Sequence, residues 1–307
     1  MKIAIIGAGA MGCLYGSYLS KGYENVWLLD VWQQHVVKIQ SDGLKLVSPL
    51  EKFKAHPHAT MLASDIQSAD IIIIAVKSND TAEAALLAEF FLKPDSVVLT
   101  LQNGLGNTEQ LAEVVGLERL IVGMTLMGAK ILEPGLVSHT GLKSTHIASW
   151  NAAGDGNLEK ILKIFKRSGL ETVVEKDVRS LLWSKLSIHA GINAVTALTG
   201  INNQDFLNNA EAIRLARMAV GEVVAVATVA GIPLLYPNCA EEMLEYARGM
   251  LEQNSPMLDD LMHGRITEVD AINGAVASIG KMYGVPTPVN ETLRLALKTR
   301  EKVIQAK

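Results

Sequence analysis

Met1-Lys2-Ile3-Ala4-Ile5-Ile6-Gly7-Ala8-Gly9-Ala10-Met11-Gly12 opens the chain, and Val26-Trp27-Leu28-Leu29-Asp30 follows after one helical stretch. The order is a buried strand, a glycine-rich turn, a helix and a second strand ending in an acid. Gly7 lets the chain turn tightly, Gly9 lets the backbone approach a pyrophosphate, and Gly12 lets the new helix pack close to the strand. The helix's first N–H groups and its positive dipole end then face the phosphates. Asp30 falls where an acid accepts hydrogen bonds from the adenosine ribose hydroxyls. A glycine-rich turn alone is common and can be a tight βα turn without a ligand. Here the flanking strand, the helix and the acid at the right distance agree. The reading is therefore a dinucleotide site built from Gly7, Ala8, Gly9, Ala10, Met11, Gly12 and Asp30. A secretory signal fits poorly, because the apolar stretch is short and broken by glycines.

The chain has 307 residues, enough for two domains with their own cores. Hydrophobic residues make up 49% and charged residues 20%, which excludes global disorder. A formal net charge of -4 with no dense Lys/Arg run gives no reason to expect nucleic-acid binding. Cys13 and Cys239 are the only cysteines, too few for a disulfide framework or a thiolate metal cluster, and this fits a reducing cytoplasm. The seven histidines show no HxxxH spacing, so no metal site is expected, and no GxxxxGK[ST] occurs. The most apolar helical stretch, Val223–Leu235, is too short for a bilayer span of about 20 residues. It reads as a core helix, and no membrane association is expected.

The first half alternates strand and helix. Strands are expected at Lys2–Ile6, Val26–Asp30, Ile71–Val76, Val97–Gln102 and Leu120–Met124, with helices at Gly12–Lys21, Gln34–Ser41, Thr81–Phe91 and Thr108–Val115. Continuous apolar runs such as Ile71–Val76 suit strands covered on both faces of a parallel sheet. This is the signature of a doubly wound α/β, Rossmann-type domain. Pro134–Gly141 and Thr145–Ser149 suggest turns and antiparallel strands added to that sheet, then a helix at Asn157–Arg167 and a last strand at Glu171–Glu175. Beyond Asp177 the pattern is helical: Val178–Leu198, Ala210–Ala230, Cys239–Gln253, Met257–Leu261, Thr267–Tyr283 and Pro288–Gln305. The expected division is a dinucleotide-binding domain over 1–177 and an all-helical substrate domain over 178–307, with the active site in the cleft between them. The apolar helices of the second domain could support a homodimer or simply fill its core.

Within the helical half, Lys185, His189 and Asn193 are spaced four apart and share one face of a mostly apolar helix. Such a stripe is costly on a core helix unless it lines a polar cavity. An ordinary solvated face is the competing reading, but the other faces also carry few charges. Ser255 before Pro256 looks like a helix N-cap, which alone would explain the serine. Glu268 near a helix start could be only a dipole-favoured carboxylate.

Together these segments resemble the ketopantoate reductases. The resemblance rests on the glycine-rich start, Asn103-Gly104, Gly135 to Gly141, Lys185-Leu186 with Asn193, and Thr196-Ala197-Leu198. It continues through Ser255-Pro256-Met257-Leu258-Asp259, Gly264–Gly274 with its Thr267-Glu268-Val269-Asp270 core, and Gly284-Val285-Pro286-Thr287-Pro288. The elements span nearly the whole chain in the right order. The resemblance implies reduction of a branched 2-keto acid to a 2-hydroxy acid with a nicotinamide cofactor, as in pantothenate biosynthesis. It implies that Lys185 is the general acid and that its charge stabilises the developing alkoxide. Glu268 matches the carboxylate that holds the lysine–substrate network. Asn193 and Ser255 match polar substrate contacts, Asn103 matches the amide near nicotinamide and substrate, and Lys77 matches a lysine near the cofactor.

Two departures stand out. The family helix usually carries an asparagine one turn after the lysine, and here it is His189. Histidine is larger, can charge near neutral pH, and offers one donor and one acceptor when neutral, so the substrate side of the pocket is expected to differ. A satisfied buried histidine is the alternative. Many relatives prefer NADPH and place a phosphate-tolerant group where this chain has Asp30. An aspartate repels a 2′-phosphate and suits the free ribose diol, so NADH is expected, with NADPH the family-typical alternative. Two other readings remain: an NAD-dependent D-2-hydroxy-acid dehydrogenase acting on other bulky 2-keto acids, and a dinucleotide-sensing protein without catalysis. The presence of both Lys185 and Glu268 argues against the latter.

Overall fold

The computed structural model describes residues 1–125, 127–140, 144–150 and 154–306. By contacts the chain divides into two compact units, residues 1–102 with 108–178 and residues 103–107 with 179–307.

In the first unit the strands are β1 (Ile3–Ile6), β2 (Val26–Leu29), β3 (Leu44–Val47), β4 (Lys52–Ala55), β5 (His58–Thr60) and β6 (Ile71–Ile74). Then follow β7 (Val97–Thr100), β8 (Leu120–Thr125), β9 (Gly128–Glu133), β10 (Leu136–Thr140), β11 (Ser144–Ser149) and β12 (Glu171–Val174). Eight of them form one sheet in the order β12-β11-β8-β7-β6-β1-β2-β5. All of its pairings are parallel except β8 with β11. Every residue of β1, β6 and β7 is buried, as the continuous apolar runs require of strands covered on both faces. β1 lies between β2 and β6, so the chain order reverses there, and the crevice beyond the carboxyl ends of β1 and β6 is where an open α/β sheet binds a ligand.

A second, four-stranded sheet has the order β4-β3-β10-β9. It corrects one expectation: Pro134–Gly141 does not extend the main sheet. Its strand β10 pairs with β3 in parallel and with β9 in antiparallel fashion. Gly141 itself lies outside the described residues. The short, charged strands β3 and β4 gave little sign of themselves in sequence, because Lys45, Lys52 and Lys54 face outward and only four residues carry each pattern. Helix Ala10–Gly22 packs against β1 and β2 on one side and β9 and β10 on the other, so Gly12 through Leu19 are all buried.

The second unit is helical. Helix Val178–Thr199 runs through its core, and every residue from Trp183 to Ala197 is buried. Gly191 makes this possible, since a Cβ there would run into Met243 Sδ and lie 2.8 Å from Val220 Cγ2 on the neighbouring helices Cys239–Arg248 and Ala210–Val229. Val220, Val223, Val226 and Ala227 are core residues of this unit. Cys239–Arg248 ends earlier than the pattern suggested. The expected helix over Thr267–Tyr283 starts as a π turn at Asp270–Gly274 before becoming α-helical at Ala275–Tyr283. Asn203–Leu207, not anticipated, is a short helix capped by Asn202. Among the described residues no helix is long and apolar enough to cross a membrane.

Candidate active site

The glycine-rich turn is built as its residues dictate. Gly7 has φ +96°, a conformation that L side chains rarely adopt, and a Cβ there would lie 2.9 Å from Val76 Cγ1. A Cβ on Gly12 would collide with the Gly7 carbonyl oxygen, whereas one on Gly9 would meet nothing within 4 Å. The turn is thus closed by packing at Gly7 and Gly12 and open at Gly9. Gly9 is also the N-cap of helix Ala10–Gly22 and makes no side-chain cap, so the first turn presents its own N–H groups. Open space above uncapped helical N–H groups fits a pyrophosphate.

Asp30 follows β2 and closes this turn from the side. Its Oδ2 accepts the Ala8 N–H at 2.6 Å and its Oδ1 accepts the Trp32 N–H at 2.9 Å. An ionised carboxylate has about four acceptor sites, so two remain for a ribose diol. Lys77 follows Val76, the residue packed on Gly7, and its carbonyl oxygen lies 3.4 Å from Gln102 Nε2, which also donates to Thr81 at 2.8 Å. Lys38, the first cation after Asp30, is paired with Asp42 at 2.7 Å.

In the second unit Lys185, His189 and Asn193 share one face of helix Val178–Thr199, and all three are buried. The solvated-face reading is therefore wrong for this helix. Burial draws the Lys185 amine down to about 8, an effect partly offset by the negative charge of Glu268. The His189 Nδ1 and Asn193 Nδ2 atoms are 2.9 Å apart, and the His189 ring meets Tyr246 edge-on, with centroids at 5.7 Å. Asn193 Oδ1 is buried with no hydrogen-bond partner among the described residues, an acceptor that a ligand hydroxyl or a water would satisfy.

Glu268 is buried at the turn preceding the π segment. Its Oε2 accepts a hydrogen bond from Asn103 Nδ2 at 3.2 Å, and the Leu105 N–H donates to the Ala271 carbonyl at 2.8 Å. Gly104, with φ +84°, permits this approach, since a Cβ there would sit 2.8 Å from Ala271 Cβ. The turn is braced from behind. The Thr267 N–H and hydroxyl both donate to Glu301 Oε1, at 2.8 and 2.6 Å, and Lys298 bridges Glu301 and Asp270. Burial raises the Asp270 carboxyl, but hydrogen bonds from Lys298 and Arg294 outweigh this and hold it below the usual carboxylate range.

Ser255 is the N-cap of helix Pro256–Met262, accepting from the Leu258 N–H at 3.3 Å. Its hydroxyl also lies 2.6 Å from Thr196 Oγ1 and 3.5 Å from the Asn193 carbonyl oxygen, so it braces the helix that carries Lys185. Thr196 entered the sequence reading only as part of Thr196-Ala197-Leu198 and not as a partner of Ser255, although it stands three residues after Asn193 and so continues the same polar stripe. Asn273 was also missed as a brace. Its Nδ2 donates to the Ala190 carbonyl at 3.0 Å and to Asn290 Oδ1 at 2.9 Å, tying the π segment to the Lys185 helix. The Asn-Gly pair was visible, but its long-range partners were not. Among the described residues, no group of three or more His, Cys, Asp or Glu side chains could hold a metal ion.

A Rossmann-type unit with an open glycine turn and, in the same chain, a helical unit holding a buried lysine and carboxylate define the class of dinucleotide-dependent oxidoreductases. The particular family follows from comparison. Residues 3–152 match the family model of ketopantoate reductase PanE/ApbA, and residues 177–301 match that of its C-terminal domain. The chain belongs to the ketopantoate reductase family. It is 34% identical to a 2-dehydropantoate 2-reductase of Halobacterium salinarum, over 95% of this chain and 96% of that one. Among solved structures it is similar to D-mandelate dehydrogenase with NADH and anilino(oxo)acetate, with TM-score 0.92, 27% identity and 99% of each chain covered. It is also similar to a PanE/ApbA family ketopantoate reductase from Ralstonia eutropha, with TM-score 0.89, 30% identity, and 99% of this chain and 100% of that one covered.

Proposed function

We propose that this chain reduces the C2 carbonyl of 2-dehydropantoate to the 2-hydroxy acid, with Lys185 as the proton donor. The nicotinamide cofactor, when bound, supplies the hydride. The observation that carries the reading is the environment of Lys185. The amine is buried and brought to about 8, so near neutral pH it is mostly protonated yet releases its proton readily. Its charge, in a place stripped of water, opposes the negative charge that develops on a carbonyl oxygen. Glu268 keeps the ammonium form accessible, and Asn103 fixes the Glu268 carboxylate through the 3.2 Å hydrogen bond. Asn193 offers its buried carbonyl oxygen to a substrate hydroxyl, and Ser255 holds the backbone of the same helix.

For the cofactor we propose a preference for NADH. Asp30 keeps acceptor sites for a ribose diol and brings a negative charge that would repel a 2′-phosphate. The nearest following cation, Lys38, is already paired with Asp42. Within the Gly7–Gly12 loop, Gly7 and Ala8 give their N–H groups to the Leu29 carbonyl and Asp30. The uncapped N–H groups at the start of helix Ala10–Gly22 therefore hold the pyrophosphate, and Lys77 lies next to the residue that packs on Gly7.

One observation favours a second reading, a D-2-hydroxy-acid dehydrogenase for bulkier 2-keto acids. His189 sits on the face of Lys185 with its ring against Tyr246, an aromatic surface where an asparagine would offer only an amide. Steady-state oxidation of NADH and of NADPH with ketopantoate, beside branched and aromatic 2-keto acids, separates the two. High kcat/KM on ketopantoate alone supports the first reading. Strong turnover of the others with ketopantoate poor replaces it with the second.

A further inference from the structure

Trp32 is 43% exposed, yet both its backbone and its ring are held. Its backbone N–H donates to Asp30 Oδ1 at 2.9 Å, and the same carboxylate takes the Ala8 N–H of the glycine turn. Its ring lies flat on the His35 imidazole, with centroids 4.9 Å apart and planes 8° apart. His35 is fully buried beneath it. The imidazole Nδ1 accepts the Gly135 N–H at 3.1 Å, which leaves the proton of the neutral ring on Nε2, 3.1 Å from Cys13 Sγ and facing the Ala8 carbonyl. Burial holds this imidazole below its ordinary value, so the indole rests on an uncharged ring.

The stack therefore fixes the plane of Trp32 relative to the glycine turn and to Asp30, with one face on His35 and the other turned outward. A rigid, exposed aromatic plane two residues from the acid that would read the ribose is the surface a purine requires. A base is joined directly to that ribose and stacks on such planes without needing hydrogen bonds.

We propose that the outer face of Trp32 carries the adenine ring of the dinucleotide, with His35 as the positioning residue beneath it. This rests on the dinucleotide-binding reading of the glycine turn. The test is calorimetric binding of ADP-ribose, which carries the adenosine half, and of reduced nicotinamide mononucleotide, which lacks it. Trp32→Ala is expected to raise the Kd for ADP-ribose about tenfold, to leave the mononucleotide unchanged, and Trp32→Phe to stay within about threefold of the wild type. Equal ADP-ribose affinity in wild type and Trp32→Ala overturns the assignment. A wild-type chain that binds neither ADP-ribose nor NADH would instead overturn the underlying reading. Fluorescence provides a check that does not depend on the alanine variant folding. ADP-ribose should quench a component of tryptophan emission in the wild type that Trp32→Phe lacks, and identical quenching in both overturns the proposal.

Discussion

Asn103 and Glu268, 165 residues apart in sequence, meet through a 3.2 Å hydrogen bond from the asparagine amide to the carboxylate. Asn103 directly follows the strand-and-loop segment of the first unit, yet by contacts it belongs with the helical unit. The bond orients the carboxylate whose charge offsets the burial of Lys185. Asn103→Ala is expected to lower kcat/KM by roughly ten- to a hundredfold, the range for lost support of a general acid. Far-UV circular dichroism should be unchanged, and an unaltered kcat/KM would remove Asn103 from the site.

Lys185→Ala should leave NADH binding nearly intact while kcat falls by at least about a hundredfold. Because the amine titrates at about 8, keto acid reduction should be level below that pH and decline above it as the proton is lost. Turnover like the wild type in Lys185→Ala, or a rate that rises through pH 9, would contradict the role.

Burial of Lys185 also costs stability. A lowering from 10.5 to about 8 corresponds to roughly 3 kcal/mol at about 1.4 kcal/mol per pH unit. The unfolded chain holds the extra proton between those two values, so stability gains from this residue as pH rises through that window. The cost is fully present below pH 8. Lys185→Met, close in shape, should therefore melt above the wild type at pH 7, with a gap that narrows toward pH 10. Urea titrations at the two pH values measure this directly, and a constant gap would refute it.

Asp30→Ala should reduce discrimination between NADH and NADPH, measured as the ratio of their kcat/KM values, by about tenfold. It also removes the acceptor of the Ala8 and Trp32 N–H groups, so both cofactors should bind more weakly. An unchanged ratio would show that Asp30 does not read the ribose.

Gly9→Ala and Gly12→Ala should part company. At Gly12 a Cβ collides with the Gly7 carbonyl, so the variant should lose several kcal/mol of stability, as overpacked cores do by about 1–3 kcal/mol or more. At Gly9 the helix-compatible φ of -65° and the open space above it allow a folded variant of unchanged Tm. That variant should bind NADH at least about tenfold more weakly, because the added methyl group occupies the approach to the pyrophosphate. A Gly9→Ala chain with native NADH affinity would mean that the dinucleotide does not pass over this turn.

The sequence by itself determined what depends on near neighbours. Apolar runs of four fixed the buried parallel strands, the spacing of Gly7, Gly9 and Gly12 fixed the turn, and steps of four placed Lys185, His189 and Asn193 on one helix face. Strand and helix periodicity are set within a few residues, so these features can be read locally. The tertiary structure alone decided which distant groups meet. Gly135 of the second sheet reaches His35, Asn103 reaches Glu268, and Ser255 reaches the carbonyl of Asn193. It also decided that Lys185, His189 and Asn193 are all buried, with the Tyr246 ring against His189 and the Ser255 hydroxyl near the Asn193 carbonyl. A lysine's own sequence neighbours do not set its proton affinity. Solvent removal and the charge of a carboxylate 83 residues further on (268 - 185) do, and both exist only once the chain has folded.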